Sequence, residues 1–273
     1  MNASDSGLDF SFNRVAAMVR RYWYLLRSSW PRVLDLIYWP TVQMLMWGFL
    51  QLYVAQQGGG LFMRASGVFI GAVLLWDILF RGQLGFSISF LEEMWSHNLG
   101  NLMMSPLRPV EFIAALMIMS IVRLAIGMIP VTLLAFAFFG FNLWSLGLAL
   151  AAFFVNLILT SWAIGIFVSG LLLRNGMGAE SMAWTIMFLF LPLTCVYYPV
   201  TVLPWYLQYV AWSLPPTYVF EGMRALLIDH VFRADLMVEA LAFNVVLFAA
   251  ASFAFLKLLQ SARVQGSLLQ TGE

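Results

Sequence analysis

Glu-Glu-Met-Trp-Ser-His-Asn-Leu-Gly-Asn-Leu-Met-Met-Ser-Pro-Leu-Arg-Pro-Val-Glu, residues 92–111, is the one long polar interruption in the first two thirds of this sequence. Apolar runs long enough to cross a bilayer lie on either side of it. A carboxylate pair, a His, two Asn and an Arg are costly in hydrocarbon. The stretch therefore sits in water, and the side of the membrane it faces sets the topology of the rest.

Composition points the same way. Of the residues, 62% are hydrophobic and 10% are charged, against about 25% charged in ordinary soluble domains. An all-α integral membrane protein is the class that fits. The net charge of +1 gives no footprint for nucleic acid. Cys195 is the single cysteine, which excludes an intrachain disulfide and a cysteine-based metal site. His97 and His230 have no neighbours at metal-ligand spacing. Lys257 is the single lysine and stands in Phe-Leu-Lys-Leu-Leu. It cannot serve as the lysine of a phosphate-binding P-loop, which needs Gly-Lys-Ser/Thr. No catalytic constellation is visible either.

Working outward, six spans of about 20 residues are expected. They are Val33–Val54 with Pro40 inside, Ser66–Phe90, Phe112–Phe139, Leu146–Leu173, Met182–Val200 broken by Pro192 and Pro199, and Met237–Leu259. Gln56–Gly60 reads as a loop. Ahead of the first span, Asn13–Leu26 is an amphipathic helix. Val15, Met18, Val19, Tyr22, Leu25 and Leu26 share one face, and Arg14, Arg20, Arg21 and Arg27 the other. Such a helix lies in the interface plane with its arginines near lipid phosphates. A six-span count puts Arg14, Arg20, Arg21, Arg27, Arg32, Arg108, Arg174, Lys257 and Arg263 on the side of the N-terminus, and only Arg64, Arg224 and Arg233 opposite. By the positive-inside rule, both termini and residues 92–111 are cytoplasmic.

Residues 203–235 fit neither class. Pro204, Pro215 and Pro216 delimit apolar pieces too short to cross. Proline suits the first turn of a helix, so the reading is a re-entrant helical hairpin before the last span. The domain plan is a single transmembrane unit. Residues 1–32 form the interfacial segment, 33–200 spans one to five, 201–235 the hairpin, and 236–273 the last span and a cytoplasmic tail.

This layout resembles the permease subunits of the ABC-2 type exporters. Two local patterns carry the likeness. One is the acidic pair followed by Leu-Gly-Asn-Leu-Met-Met-Ser-Pro-Leu-Arg-Pro, residues 99–109, with Asn101 where the family commonly has Thr. The other is Tyr-Tyr-Pro-Val-Thr-Val-Leu-Pro-Trp, residues 197–205, with Leu-Pro-Pro-Thr-Tyr and Glu-Gly-Met-Arg after it. The resemblance implies a half-transporter in a bacterial inner membrane. Two copies pair to enclose a path for an amphipathic or hydrophobic substrate, and two copies of a separate ATPase power it. This chain itself carries no cofactor; ATP and magnesium belong to the ATPase. A lipid-linked polysaccharide is an alternative cargo. A proton-coupled secondary transporter, a different class, would show a carboxylate relay inside the spans and internal repeats; only Asp77 is deep and no repeat is seen.

Three groups of candidate residues follow. Glu92 to Ser105 is expected to form one surface helix ended by Pro106. Its apolar strip would be Trp95, Leu99 and Leu102 and its polar complement Glu92, Glu93 and Asn98, and the resemblance makes it the coupling helix that docks on the ATPase. The translocation path would draw on Asp77, Arg81, Arg123, Tyr197, Tyr198, Trp205 and Tyr218. Asp77 and Arg81 share a helix face at i,i+4 and read equally as a functional polar patch or a self-satisfied ion pair, with Arg123 a further partner for Asp77. An aromatic belt accounts for many of the Tyr and Trp residues. Pro204, Pro215 and Pro216 delimit the hairpin, and Glu221 and Arg224 hold it together.

Overall fold

The computed structural model describes residues 10–57 and 67–265. Arg64, most of the expected Gln56–Gly60 loop, the first nine residues and the last eight lie outside the described residues. So does the side chain of Arg263. All regular structure among the described residues is helical.

Helix α1 (Phe12–Arg27) buries the predicted stripe of Val15, Met18, Tyr22 and Leu26. Each such side chain removed from water contributes about 1.5–3 kcal/mol relative to exposure. Leu25, expected on that stripe, is exposed, as are Trp23 and Tyr24. Helix α2 (Trp30–Gln57) contains Pro40 and is mostly unburied. Helix α3 (Val68–Trp95) is the central post. It is buried along most of its length, which is why it is apolar all round rather than on one face. A short helix, α4 (Leu99–Met104), follows it. Then come α5 (Pro109–Phe139) and α6 (Leu148–Asn175), both packed on α3. Helix α10 (Ala234–Gln265) lies against α6.

Glycines let these helices approach closely, as small residues do in lipid-embedded bundles. A Cβ on Gly127 of α5 would stand 2.7 Å from the Leu36 carbonyl oxygen of α2. One on Gly85 of α3 would stand 3.1 Å from the Ser120 Cα of α5. Between α6 and α10 the contact is polar. Asn244 Nδ2 donates to the Asn156 carbonyl and side-chain oxygens at 3.0 and 3.1 Å, and Thr160 Oγ1 donates to Asn244 Oδ1 at 2.6 Å. Away from water, mutual satisfaction of this kind is the economical arrangement for a buried amide.

Among the described residues five helices, α2, α3, α5, α6 and α10, are long and apolar enough to cross a membrane. The expected span Met182–Val200 is the exception. It is helical over Met182–Leu193 (α7) only, 12 residues or about 18 Å, well short of a hydrocarbon core of about 30 Å. Pro192 sits in its last turn and Cys195 takes a left-handed φ of 54° just beyond. The chain nonetheless follows α3 from end to end. Glu180 meets Trp95, Phe188 meets Phe80, and Tyr197 stacks on Trp47, which stacks on Phe69.

The proline-bounded segment forms a helical hairpin, α8 (Trp205–Trp212) and α9 (Pro215–Ile228). Pro204 stands at the N-cap of α8, and Pro215 and Pro216 open α9. Thr217 and Tyr218 of α9 donate their hydroxyls back to the Ala211 and Trp212 carbonyls of α8, at 2.7 Å each. Along α9, Tyr218 stacks on Phe243, nine residues into α10, whereas Gly222 meets Met237 and Leu227 meets Gly71 near the start of α3. The hairpin thus runs inward beside the bundle and returns to the end it left.

Candidate functional site

One end of the bundle carries three carboxylates that the arginines of α1, α2 and α5 surround. Glu111 caps α5, accepting from the Arg108 backbone N–H at 3.0 Å. It also accepts from the Ser11 N–H at 2.8 Å and from Arg14 Nε at 2.8 Å and Nη2 at 2.6 Å. Glu93, fully buried near the end of α3, accepts from both terminal guanidinium nitrogens of Arg21 at 2.7 and 3.0 Å and from the Asn98 amide at 2.8 Å. Glu92 pairs with Arg123 of α5 at 2.8 Å and with Arg32 of α2 at 3.3 Å. Two-pronged Arg–carboxylate bonds fix direction as well as distance. Tyr22 lies fully buried beside Glu93. Burial, reinforced by that carboxylate's charge, pushes the Tyr22 phenol pKa up.

These pairs correct two expectations. Arg14 and Arg21 are committed to Glu111 and Glu93 rather than to lipid phosphates, while Arg20 and Arg27 remain exposed. Glu92 and Glu93 face into the bundle, so neither is part of an outward docking strip.

Residues 92–105 are also not one helix. Helix α3 continues through Trp95 and stops because His97 takes φ 51°. The His97 N–H bonds the Met94 carbonyl and the Asn98 N–H the Glu93 carbonyl, the two bonds of a Schellman ending. Glycine usually occupies that position; histidine is among the few other residues that tolerate it. Helix α4 then leaves in a new direction and ends before Pro106, where Ser105 Oγ donates to the Leu102 carbonyl at 2.6 Å. Trp95 and Leu99 consequently part company. Leu99 is buried and, with the partly buried Leu102, packs near Phe90, Phe112 and Phe255. Trp95 is 45% exposed and its indole N–H reaches Glu180 at 3.4 Å. Among the described side chains of residues 92–105, the exposed ones are Trp95, Ser96, His97, Asn101 and Met104.

The expected path residues divide. Asp77 and Arg81 lie 3.5 Å apart on α3, the carboxylate fully buried. Neither oxygen of Asp77 has a hydrogen-bond partner among the described residues. Asp35 of α2 lies within electrostatic range of Arg81, and Tyr197 lies beside Gln43 and within range of Asp77. A polar patch therefore sits between α2, α3 and the stretch after α7. Arg123 is not part of it: its long side chain reaches to Glu92 instead of Asp77. Tyr198 donates to the Pro192 carbonyl at 2.6 Å and closes the end of α7. Trp205 is exposed on α8, and Tyr218 is buried between Trp212 and Phe243.

Glu221 and Arg224 bind the hairpin to the segment before it. Arg224 Nη1 donates to the Cys195 and Val196 carbonyls at 2.9 and 3.3 Å, and Glu221 accepts from the Val200 N–H at 2.7 Å. The backbone groups freed where α7 unwinds are satisfied in this way. Sequence reasoning missed Glu111, Arg14, Arg21, Arg32 and Glu180 as members of the site. The available signal was that Glu92, Glu93, Glu111 and Glu180 fall, with a surplus of arginines, on one predicted side.

A family model described as ABC-2 type transporter matches residues 14–228. Among curated proteins the chain has no match.

Proposed function

The chain belongs to the ABC-2 type transporter family, and on that premise we propose that it is the permease half of an exporter. Two copies pair in a bacterial inner membrane, and two copies of a separate ATPase dock on the end that carries α4. The chain supplies no nucleotide chemistry of its own. ATP and magnesium are handled by the ATPase, and the spans respond. The cargo is amphipathic or apolar. It passes along the side formed by α2, α3 and the stretch after α7, where Asp77, Arg81 and Tyr197 stand beside an exposed apolar face of α2. The side holding the arginine–glutamate lattice is cytoplasmic, and the α8–α9 hairpin re-enters from the opposite face.

The observation that carries this reading is the mounting of α4. Leu99 roots the helix in the bundle while Trp95 and Met104, 45% and 81% exposed, project from the end. Glu93 holds Asn98 at the head of α4 and Arg21 of α1 at once. A push on α4 therefore reaches α1 and α3 through rigid bonds rather than through a loop. The packing of Tyr218 into the bundle removes one aromatic from a sugar-stacking path, which favours the amphipathic cargo over a polysaccharide.

The test replaces the exposed pair, Trp95→Ala with Met104→Ala, and leaves buried Leu99 alone. An exposed tryptophan anchor is worth about 2 kcal/mol or more at an interface, so affinity for the ATPase is expected to fall about 30-fold. The thiol of Cys195 should stay unreactive, reporting an intact bundle. If the double variant binds the ATPase and transports at the normal rate, the docking role is wrong.

A further inference from the structure

Helices α5 and α6 follow one another through a short turn, yet both pack on α3 and scarcely on each other. The gap between them is a lateral cavity of about 570 Å³. Ile78 of α3 forms part of its floor, Ala125 and Met128 one wall, Leu150 and Ala151 the other. Ile129 and Val155 are about half exposed at its mouth, so it opens sideways. Apart from the Trp144 indole at its mouth, Thr132 is the one polar side chain among the described lining residues, and it spends its hydroxyl on the Ile129 carbonyl at 2.9 Å. No charged side chain lines it.

The two ends of the cavity identify the occupant. Just before Ile121, on the side toward the arginine–glutamate lattice, Trp162 of α6 donates its indole N–H to Ser120 of α5 at 2.8 Å and ties the helices together. At the other end Leu143 and Trp144 of the connecting turn complete the lining, with Trp144 63% exposed. From Ile121 to Thr132 the slot runs about 16 Å along α5, close to half of a hydrocarbon core of about 30 Å. A transmembrane helix from a second copy would have to run past the Trp162–Ser120 tie. A hydrocarbon chain that enters from one leaflet and stops at the midplane has the right length and polarity.

We infer that this slot is a binding site for a single acyl chain of a phospholipid, from the leaflet farthest from the arginine–glutamate lattice. Trp144 sits at the mouth where that lipid's head group region would be, the depth that tryptophan favours. The site depends only on the chain's being embedded in a bilayer and is independent of what the protein transports.

The experiment places the full chain in lipid nanodiscs containing phosphatidylethanolamine with a diazirine near the end of one acyl chain. The protein is then washed into detergent before illumination, so that only retained lipid reacts. Peptide mass spectrometry should find the adduct on residues 121–132 and 147–155, with the outward face of α10, around Val245 and Phe253, unlabelled. Filling the slot by Ala125→Phe with Ala151→Phe should reduce the adduct at least about tenfold while Cys195 remains unreactive. Leu150→Trp provides a second filling variant should the first pair fail to fold. Retained label scattered over α10, or no label in the slot, would each overturn the assignment. So would undiminished labelling in a folded, filled variant.

Discussion

Glu93→Ala removes the residue on which α1, α3 and α4 converge. Its carboxylate accepts two bonds from Arg21 and one from Asn98 and is fully buried. Removing one partner of a buried pair costs about 3–5 kcal/mol when the other charge is left without water. Here the Arg21 side chain is 37% exposed, so it rehydrates, and the loss falls to about 2–3 kcal/mol. For a chain of this length that corresponds to a midpoint lower by roughly 4–12 °C. Cys195 supplies the assay. As the single thiol, fully buried, it reacts with a fluorogenic maleimide only as the bundle opens, so a thermal ramp reads unfolding without added labels. A cycle with Arg21→Ala should give a coupling energy of about 1–2 kcal/mol. If Glu93→Ala melts within about 1 °C of the parent, or the cycle returns less than about 0.3 kcal/mol, the lattice does not hold α1 to the bundle. The account of α4 motion passing through Glu93 would then fail with it.

Arg224→Met leaves the Cys195 and Val196 carbonyls without their donor; maleimide labelling of Cys195 at 25 °C should accelerate about tenfold or more, the equivalent of about 1.4 kcal/mol of easier local opening. An unchanged rate would mean that the stretch after α7 is held by something else. His97→Gly removes the side chain strained by the left-handed turn between α3 and α4 and should raise the unfolding midpoint, by about 1 kcal/mol of stability. A lower midpoint would show that the His97 side chain contributes more than its backbone conformation costs.

The sequence by itself determined the class of protein, because the free energy of placing a residue in lipid depends mainly on that residue and its near neighbours. Runs such as Phe112–Phe139 announce a span with no knowledge of what they touch. The α8–α9 hairpin was legible for a similar reason: Pro204, Pro215 and Pro216 act locally, each through its own fixed φ and missing N–H. So were the buried stripe of α1 and the end of α4 before Pro106. What pairs with what was decided only by the tertiary structure. Arg14, Arg21 and Arg123 lie 97, 72 and 31 residues from the carboxylates they bind. From spacing alone, Arg123 is as good a partner for Asp77 as for Glu92. The break at His97 was hidden because neither glycine nor proline marks it; the turn is held by backbone bonds and by the burial of Leu99 on one side of it. The shortness of α7 was hidden too, since the backbone groups freed beyond Leu193 find partners in Glu221 and Arg224, more than twenty residues away. Hydropathy adds up along the chain, whereas ion pairs and helix ends depend on what the fold brings within 3 Å.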